Sequence, residues 1–176
     1  MKDENYVKNL LGALGTNIAS GIESEVAALG SRSLSHESAL VAIRNHPDNG
    51  IDVLSKVLGL THSGTVRLIN TLEGEGLVER KRSGDDARAV VLRVTPKGRS
   101  RANTVLQARE HVTAHIFQSL NEKQKKAIVP ALESMLSAMT QDISGARRIC
   151  RLCDESICRA VGCPVEGAVV QNESNQ

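Results

Sequence analysis

The sequence predicts a mainly α fold carrying one small β-hairpin, and three observations carry that expectation. Apolar residues recur at helical spacing over most of the 176-residue chain. Two short runs rich in valine and leucine flank a turn-forming tip near its middle. A glycine corner joins two short helical runs just ahead of them.

Each element follows from local pattern. Leu10, Leu14, Ile18, Ile22, Val26 and Leu29 step by four and then three, which predicts a helix over residues 4–29. Ser35 is a capping residue for a helix over 36–45. His46, Pro47, Asp48, Asn49 and Gly50 form a turn cluster. A short helix over 51–58 reaches the corner at Gly59 and Leu60, and Thr61 caps the next, which runs to 75 and stops at Gly76. Residues 77–82 and 89–94 read as strands, with Val90, Leu92 and Val94 on one face and 83–88 as the tip. Thr95 followed by Pro96 starts a helix over 96–120. Asn121 opens another, with Ile128, Leu132, Met135, Leu136, Met139 and Ile143 on one face and Pro130 inside it as a source of bending. The stretch from Cys150 is not periodic, and the polar end is expected to be disordered.

Two short helices with a tight corner, then a basic hairpin, make a winged helix-turn-helix. Val53, Leu54, Val57, Leu58, Leu60, Leu68, Ile69 and Leu72 can pack the two helices together. Thr61, His62, Ser63, Gly64, Val66, Arg67 and Asn70 are left on or near the other face. They are small, polar or basic, so that face can enter a major groove about 12 Å wide. Arg67 suits a guanine edge or a phosphate, Ser63 and Asn70 offer hydrogen bonds, and Val66 suits a thymine methyl. The competing reading is a solvated helix face. The hairpin directly behind it favours the DNA reading.

The run from Leu54 to Gly98 resembles the DNA-binding core of the MarR family of bacterial regulators. That family has a wing pattern D-x-R-x-x-x-L-x-L-T-x-x-G, matched here by Asp86, Arg88, Leu92, Val94, Thr95 and Gly98, with valine at position 94 in place of the usual leucine. Gly76, Leu77, Val78, Glu79 and Arg80 also match. The resemblance covers about residues 35–100, and the flanking helices match in length and placement only. It implies that Arg88 at the wing tip enters the minor groove, that Asp86 holds the wing in shape, and that the recognition helix starts at Thr61. It also implies dimerisation through the first and last helices. One departure is Thr65, where many relatives carry valine. A narrow minor groove has enhanced negative potential that attracts a guanidinium. Phosphate contacts from Arg80, Arg82, Lys97 or Arg99 fix register without reading sequence.

Charge points the same way. The formal net charge is only +2, yet residues 80–101 hold eight basic side chains against two acids. A basic stripe on a near-neutral chain suits a polyanion, although a solvated strand pair has the same composition. Tyr6 and Phe117 are the only aromatics, which disfavours base stacking on single strands. There is no secretion-type leader, and no run approaches the roughly 18 apolar residues of a membrane span, so a cytoplasmic protein is expected. No nucleophile elbow, Walker loop or dinucleotide fingerprint is present, and His111 and His115 lack the glutamate of a zinc-protease helix, so no enzyme is expected.

All four cysteines, Cys150, Cys153, Cys158 and Cys163, fall within 14 residues, with Pro164 after the last. In a reducing compartment such a group reads as a metal site. The spacing C-x2-C-x4-C-x4-C is that of a zinc knuckle with cysteine in place of histidine, and four thiolates close a structural zinc tetrahedron. A cluster ending in Cys-Pro also suits iron–sulfur ligation. Zinc is the first choice and an iron–sulfur cluster the alternative, one centre per chain; a thiol switch and inert cysteines stay open. Arg147, Arg148, Arg151 and Arg159 would offset thiolate charge.

The expected organisation is an N-terminal dimerisation helix (1–34), a winged helix-turn-helix (35–100), C-terminal dimerisation helices (101–149), a four-cysteine segment (150–166) and a disordered tail (167–176). The expected function is a sequence-specific transcriptional regulator, a repressor by analogy, binding near-palindromic double-stranded DNA as a homodimer, with room for a small-molecule effector and none for a membrane. The alternative is a metal-dependent interaction module without specific DNA binding.

Overall fold

The computed structural model describes residues 3–30, 32–84, 86 and 88–174. Its centre is a helix buried on every side. The chain runs α1 (Glu4–Ala28), α2 (Leu34–Asn45), α3 (Ile51–Leu58), α4 (His62–Gly74), β1 (Val78–Arg82), β2 (Val90–Val94), α5 (Pro96–Gln118), α6 (Glu122–Ala138), α7 (Ile143–Ile149), α8 (Glu155–Arg159) and α9 (Pro164–Ser174). Residues 37–43 of α2 are all buried, enclosed by α5, α3, β2 and α1. Ala39, Leu40, Val41 and Ile43 meet Leu54, Val57, Leu68, Ile69, Leu72, Leu92, Ala102 and Val105 in one core. A helix apolar around most of its circumference belongs inside, and this one supplies the hub.

One charge sits in that hub. Glu37 is fully buried, and its carboxylate accepts from Arg101 Nη2 at 2.6 Å and from Arg32 Nε at 3.0 Å. Arg101 also donates to the Leu29 carbonyl at 3.0 Å, which ties the end of α1 to α5. Buried carboxylates persist only when paired in this way.

Local chemistry explains the element ends. Thr95 accepts from Gly98 N at 3.0 Å with Pro96 behind it. Asn121 and Gln124 form a reciprocal capping box at α6. Gly59 takes φ +68° to turn α3 into α4. The two strands are antiparallel, with Val78 opposite Val94 and Arg82 opposite Val90. The loop before α3 extends this hairpin: Asp48 N donates to Leu92 O at 3.1 Å, and Leu92 N donates to Asn49 O at 3.0 Å.

Several expectations are corrected. Helix α2 begins at Leu34 with Ser33 at its N-cap, not at Ser35. The helix after Asn121 ends at Ala138, and Ile143 starts a new one, so the expected single apolar face is broken. The cause is local: Asp142 accepts from Gly145 N at 2.7 Å and caps a fresh N-terminus. On β2, Val90 is exposed and Val91 is buried, against the expected alternation. The expected disordered tail (167–176) is helix α9 as far as Ser174; residues 175 and 176, and Asp85 and Ala87 of the wing tip, lie outside the described residues. Helix α9 is ordered by its apolar side, since Val165, Ala168 and Val169 are buried and it lies against α6 and α7.

Candidate nucleic-acid interface

Helix α4 has two faces of different chemistry. Thr65, Leu68, Ile69 and Leu72 are buried, and Ser63, Arg67, Asn70 and Thr71 are exposed one helical row away. Thr65 tolerates burial because its hydroxyl donates to Thr61 O at 3.0 Å. The helix start is braced twice: Thr61 Oγ1 accepts from Gly64 N at 3.1 Å, and His62 Nδ1 meets Asp52 Oδ1 of α3 at 2.7 Å. Val66 is half-buried beside the exposed row.

Behind it stands the wing. Asp86 Oδ1 accepts from the backbone N of Arg88 at 2.9 Å, so the acid shapes the tip that presents the arginine. Arg82 and Arg88 are exposed. Thr95 Oγ1 donates to Gly76 O at 2.7 Å, joining the foot of β2 to the end of α4.

The structure divides the basic stripe in two. Arg80 is ion-paired with Glu73 and donates to Asn70 Oδ1 at 2.7 Å, fastening the wing to α4. Arg93 forks onto Asp48, and Arg101 holds Glu37. Lys97 Nζ donates to Glu75 O at 2.9 Å, at the carbonyl end of α4. Arg82, Arg88 and Arg99 are exposed. The sequence count of basic residues therefore mixes internal struts with surface charge. Asp48, Glu73 and Glu37 are the partners that sequence reading missed; only their positions in space reveal them.

The C-terminal segment packs on two sides: α9 lies against α6, and the stretch before it docks on the winged helix. Helix α7 packs on α3. Asn45 Nδ2 donates to Cys153 O at 2.8 Å, His46 Nε2 meets Glu155 Oε1 at 2.9 Å, and Arg148 Nη2 donates to Lys56 O at 2.8 Å. Leu152 packs into the main core. Residues 143–149, assigned from sequence to dimerisation, thus belong with the cysteines.

No disulfide joins any of the four cysteines. Cys150, Cys153 and Cys163 share one apolar cluster with Ala146, Val165 and Val169. Burial pushes the Cys158 thiol up, with Cys153 and Cys163 adding to the rise. A hydrogen bond from the Cys150 thiol lowers Cys153 to about 6, helped by Arg109 and Arg151, and the same bond with burial pushes Cys150 up. Among the described residues no three His, Cys, Asp or Glu side chains stand in metal-holding geometry, so the thiols are neighbours rather than a closed tetrahedron. A cavity of about 380 Å³ opens beside Cys150 and Cys163, lined also by His46, Arg147, Glu155 and Arg159.

No described helix is long and apolar enough to cross a membrane. Residues 34–89 match the MarR family. The chain is 30% identical over 84 residues to YwhA of Bacillus subtilis, an HTH-type transcriptional regulator, covering 48% of this chain and 60% of that one. It is 26% identical over 105 residues to the transcriptional repressor MprA of Escherichia coli, covering 58% and 60%. The match therefore spans about three-fifths of these relatives' length. Among solved structures, Streptococcus pneumoniae FabT in complex with DNA is similar at TM-score 0.61 and 26% identity, covering 76% of this chain and 94% of that one. A MarR family protein from Bacillus stearothermophilus is similar at TM-score 0.69 and 22% identity, covering 80% and 100%.

Proposed function

We propose, from the match of residues 34–89 to the MarR family, that this chain is a non-enzymatic transcriptional regulator that binds double-stranded DNA as a homodimer. One observation carries the reading: the exposed row of Ser63, Arg67, Asn70 and Thr71 on α4 stands beside a hairpin whose tip presents Arg88 on an Asp86 turn. Such a helix fits the major groove, and an arginine on a hairpin tip fits the minor groove beside it. The resemblance to a repressor and to a DNA-bound structure supports the same placement.

The dimer reading rests on uncovered apolar surface. Tyr6, Val7, Leu10, Leu11 and Leu14 of α1 are exposed, as are Phe117 of α5 and Val129, Leu132, Met135 and Met139 of α6. Only Val26 of α1 is buried by its own chain. A stripe of this size on terminal helices suits a second copy, and two winged helices about one DNA turn apart supply the specificity that one lacks.

Selection from a random duplex pool by the full chain tests the proposal. Enrichment of a near-palindrome bound by two chains, with affinity falling steeply as salt rises, is the expected result. Equal binding to all duplexes would overturn it.

A further inference from the structure

We propose that Cys150, Cys153, Cys158 and Cys163 are the four thiolate ligands of one thiophilic metal centre, a zinc ion or an iron–sulfur cluster, that fastens the C-terminal segment onto the winged helix. The inference is independent of the DNA-binding reading.

The path of the chain brings the ligands together. A turn closed by Cys153 N donating to Cys150 O at 2.8 Å puts the first two side by side. Asp154 then caps α8 through Ser156 N at 3.2 Å, and α8 carries Cys158. Gly162, at φ +91°, bends the chain so that Cys163 joins the cluster of Cys150. Cys150, Cys153 and Cys163 thus share one cluster, and α8 carries Cys158 between Cys153 and Cys163 in the chain.

The helices around the first three cysteines are short. Helices α7 and α8 have seven and five residues, too short to persist alone. Their apolar cluster is small and includes cysteines as members. A metal–thiolate centre supplies the stability that such a core lacks. Binding releases the thiol protons to solvent.

Thiols that share a hydrogen bond do not close on one point, whereas thiolates around a cation do. Rotation about Cα–Cβ among staggered states moves the sulfur without moving the backbone. The adjacent cavity leaves room for either a single ion or a cluster. The contacts of this segment with Asn45, His46 and Lys56 then make the centre a clamp on the end of α2 and on α3.

The test uses the full chain purified without oxygen, with elemental and sulfide analysis and an absorption spectrum. About one zinc per chain in a colourless protein, or iron and sulfide with visible absorbance, supports the proposal and tells the two centres apart. Cobalt(II) in place of zinc should show strong thiolate-to-metal absorption. Cys158→Ser should lower metal content several-fold. Should that variant fail to fold, chelation of the wild-type chain serves instead, and metal removal should expose residues 150–163 to protease while the winged helix resists. A metal-free protein whose four thiols all react with a thiol reagent overturns the proposal. So does a metal-free protein with a Cys150–Cys153 disulfide.

Discussion

Arg93 of the wing forks onto Asp48, with Nε donating to Oδ1 at 2.6 Å and Nη2 to Oδ2 at 2.8 Å. Asp48 holds φ +68°, a conformation that aspartate and asparagine tolerate better than other side chains. The pair therefore ties the turn before α3 to β2 and sets the wing's angle to the helix-turn-helix.

This pair has a pH signature. Hydrogen bonds from Arg93 hold the Asp48 carboxyl below its ordinary value. A carboxylate depressed in the folded state stabilises above its unfolded value and loses that contribution as pH falls through the folded one. Asp48→Asn keeps the backbone tolerance and removes the charge. Its melting temperature should lie below wild type near neutrality, and the gap should close on acidification into the carboxylate range. A gap that is constant with pH would remove the ion pair from the account.

Arg88→Ala should weaken binding to the selected duplex and make it less salt-dependent, because a cation seated in the minor groove of each half-site is lost. The fold should be unaffected, since Arg88 is exposed. Fluorescence anisotropy at several salt concentrations reads both quantities. Unchanged affinity rules out the wing-tip role.

Arg67 and Lys97 should behave differently. Arg67→Ala should relax preference at one base position by roughly 1–3 kcal/mol, as loss of a bidentate base contact does. Lys97→Ala should weaken all duplexes alike. Repeating the duplex selection with each variant distinguishes them, and an unaltered preferred site for Arg67→Ala would show that it reads no base.

Gly98→Ala should destabilise the protein by roughly 1–3 kcal/mol, the cost of overpacking. An added Cβ would run into the Leu77 carbonyl, which is backbone and cannot swing aside. Denaturant unfolding measures the loss. A wild-type midpoint would mean that α5 and β1 can separate freely.

Leu14→Glu should shift the protein from dimer to monomer in light scattering and weaken duplex binding in parallel. Leu14 is 42% exposed in the single chain, so the change places no charge in the chain's own core. A dimer of unaltered stability would place the interface elsewhere.

Local pattern alone determined most of the fold and the exposed face of α4. Thr61, Gly59, Thr95, Pro96 and Asn121 act through neighbours a few residues away, so their helix ends can be read in order along the chain. The exposed row of α4 follows from helical spacing for the same reason. Tertiary structure decided what long-range pairing decides. Arg80, Arg93 and Arg101 look like surface charge in a linear count, yet each meets an acid brought to it by the fold, Glu73, Asp48 and Glu37. The cysteine spacing was plain, but its seat was not: Asn45 and Cys153 are 108 residues apart, and only packing brings them to 2.8 Å. Hydrogen bonds and apolar contacts act over a few ångströms of space and carry no mark in sequence of which distant residue they will find.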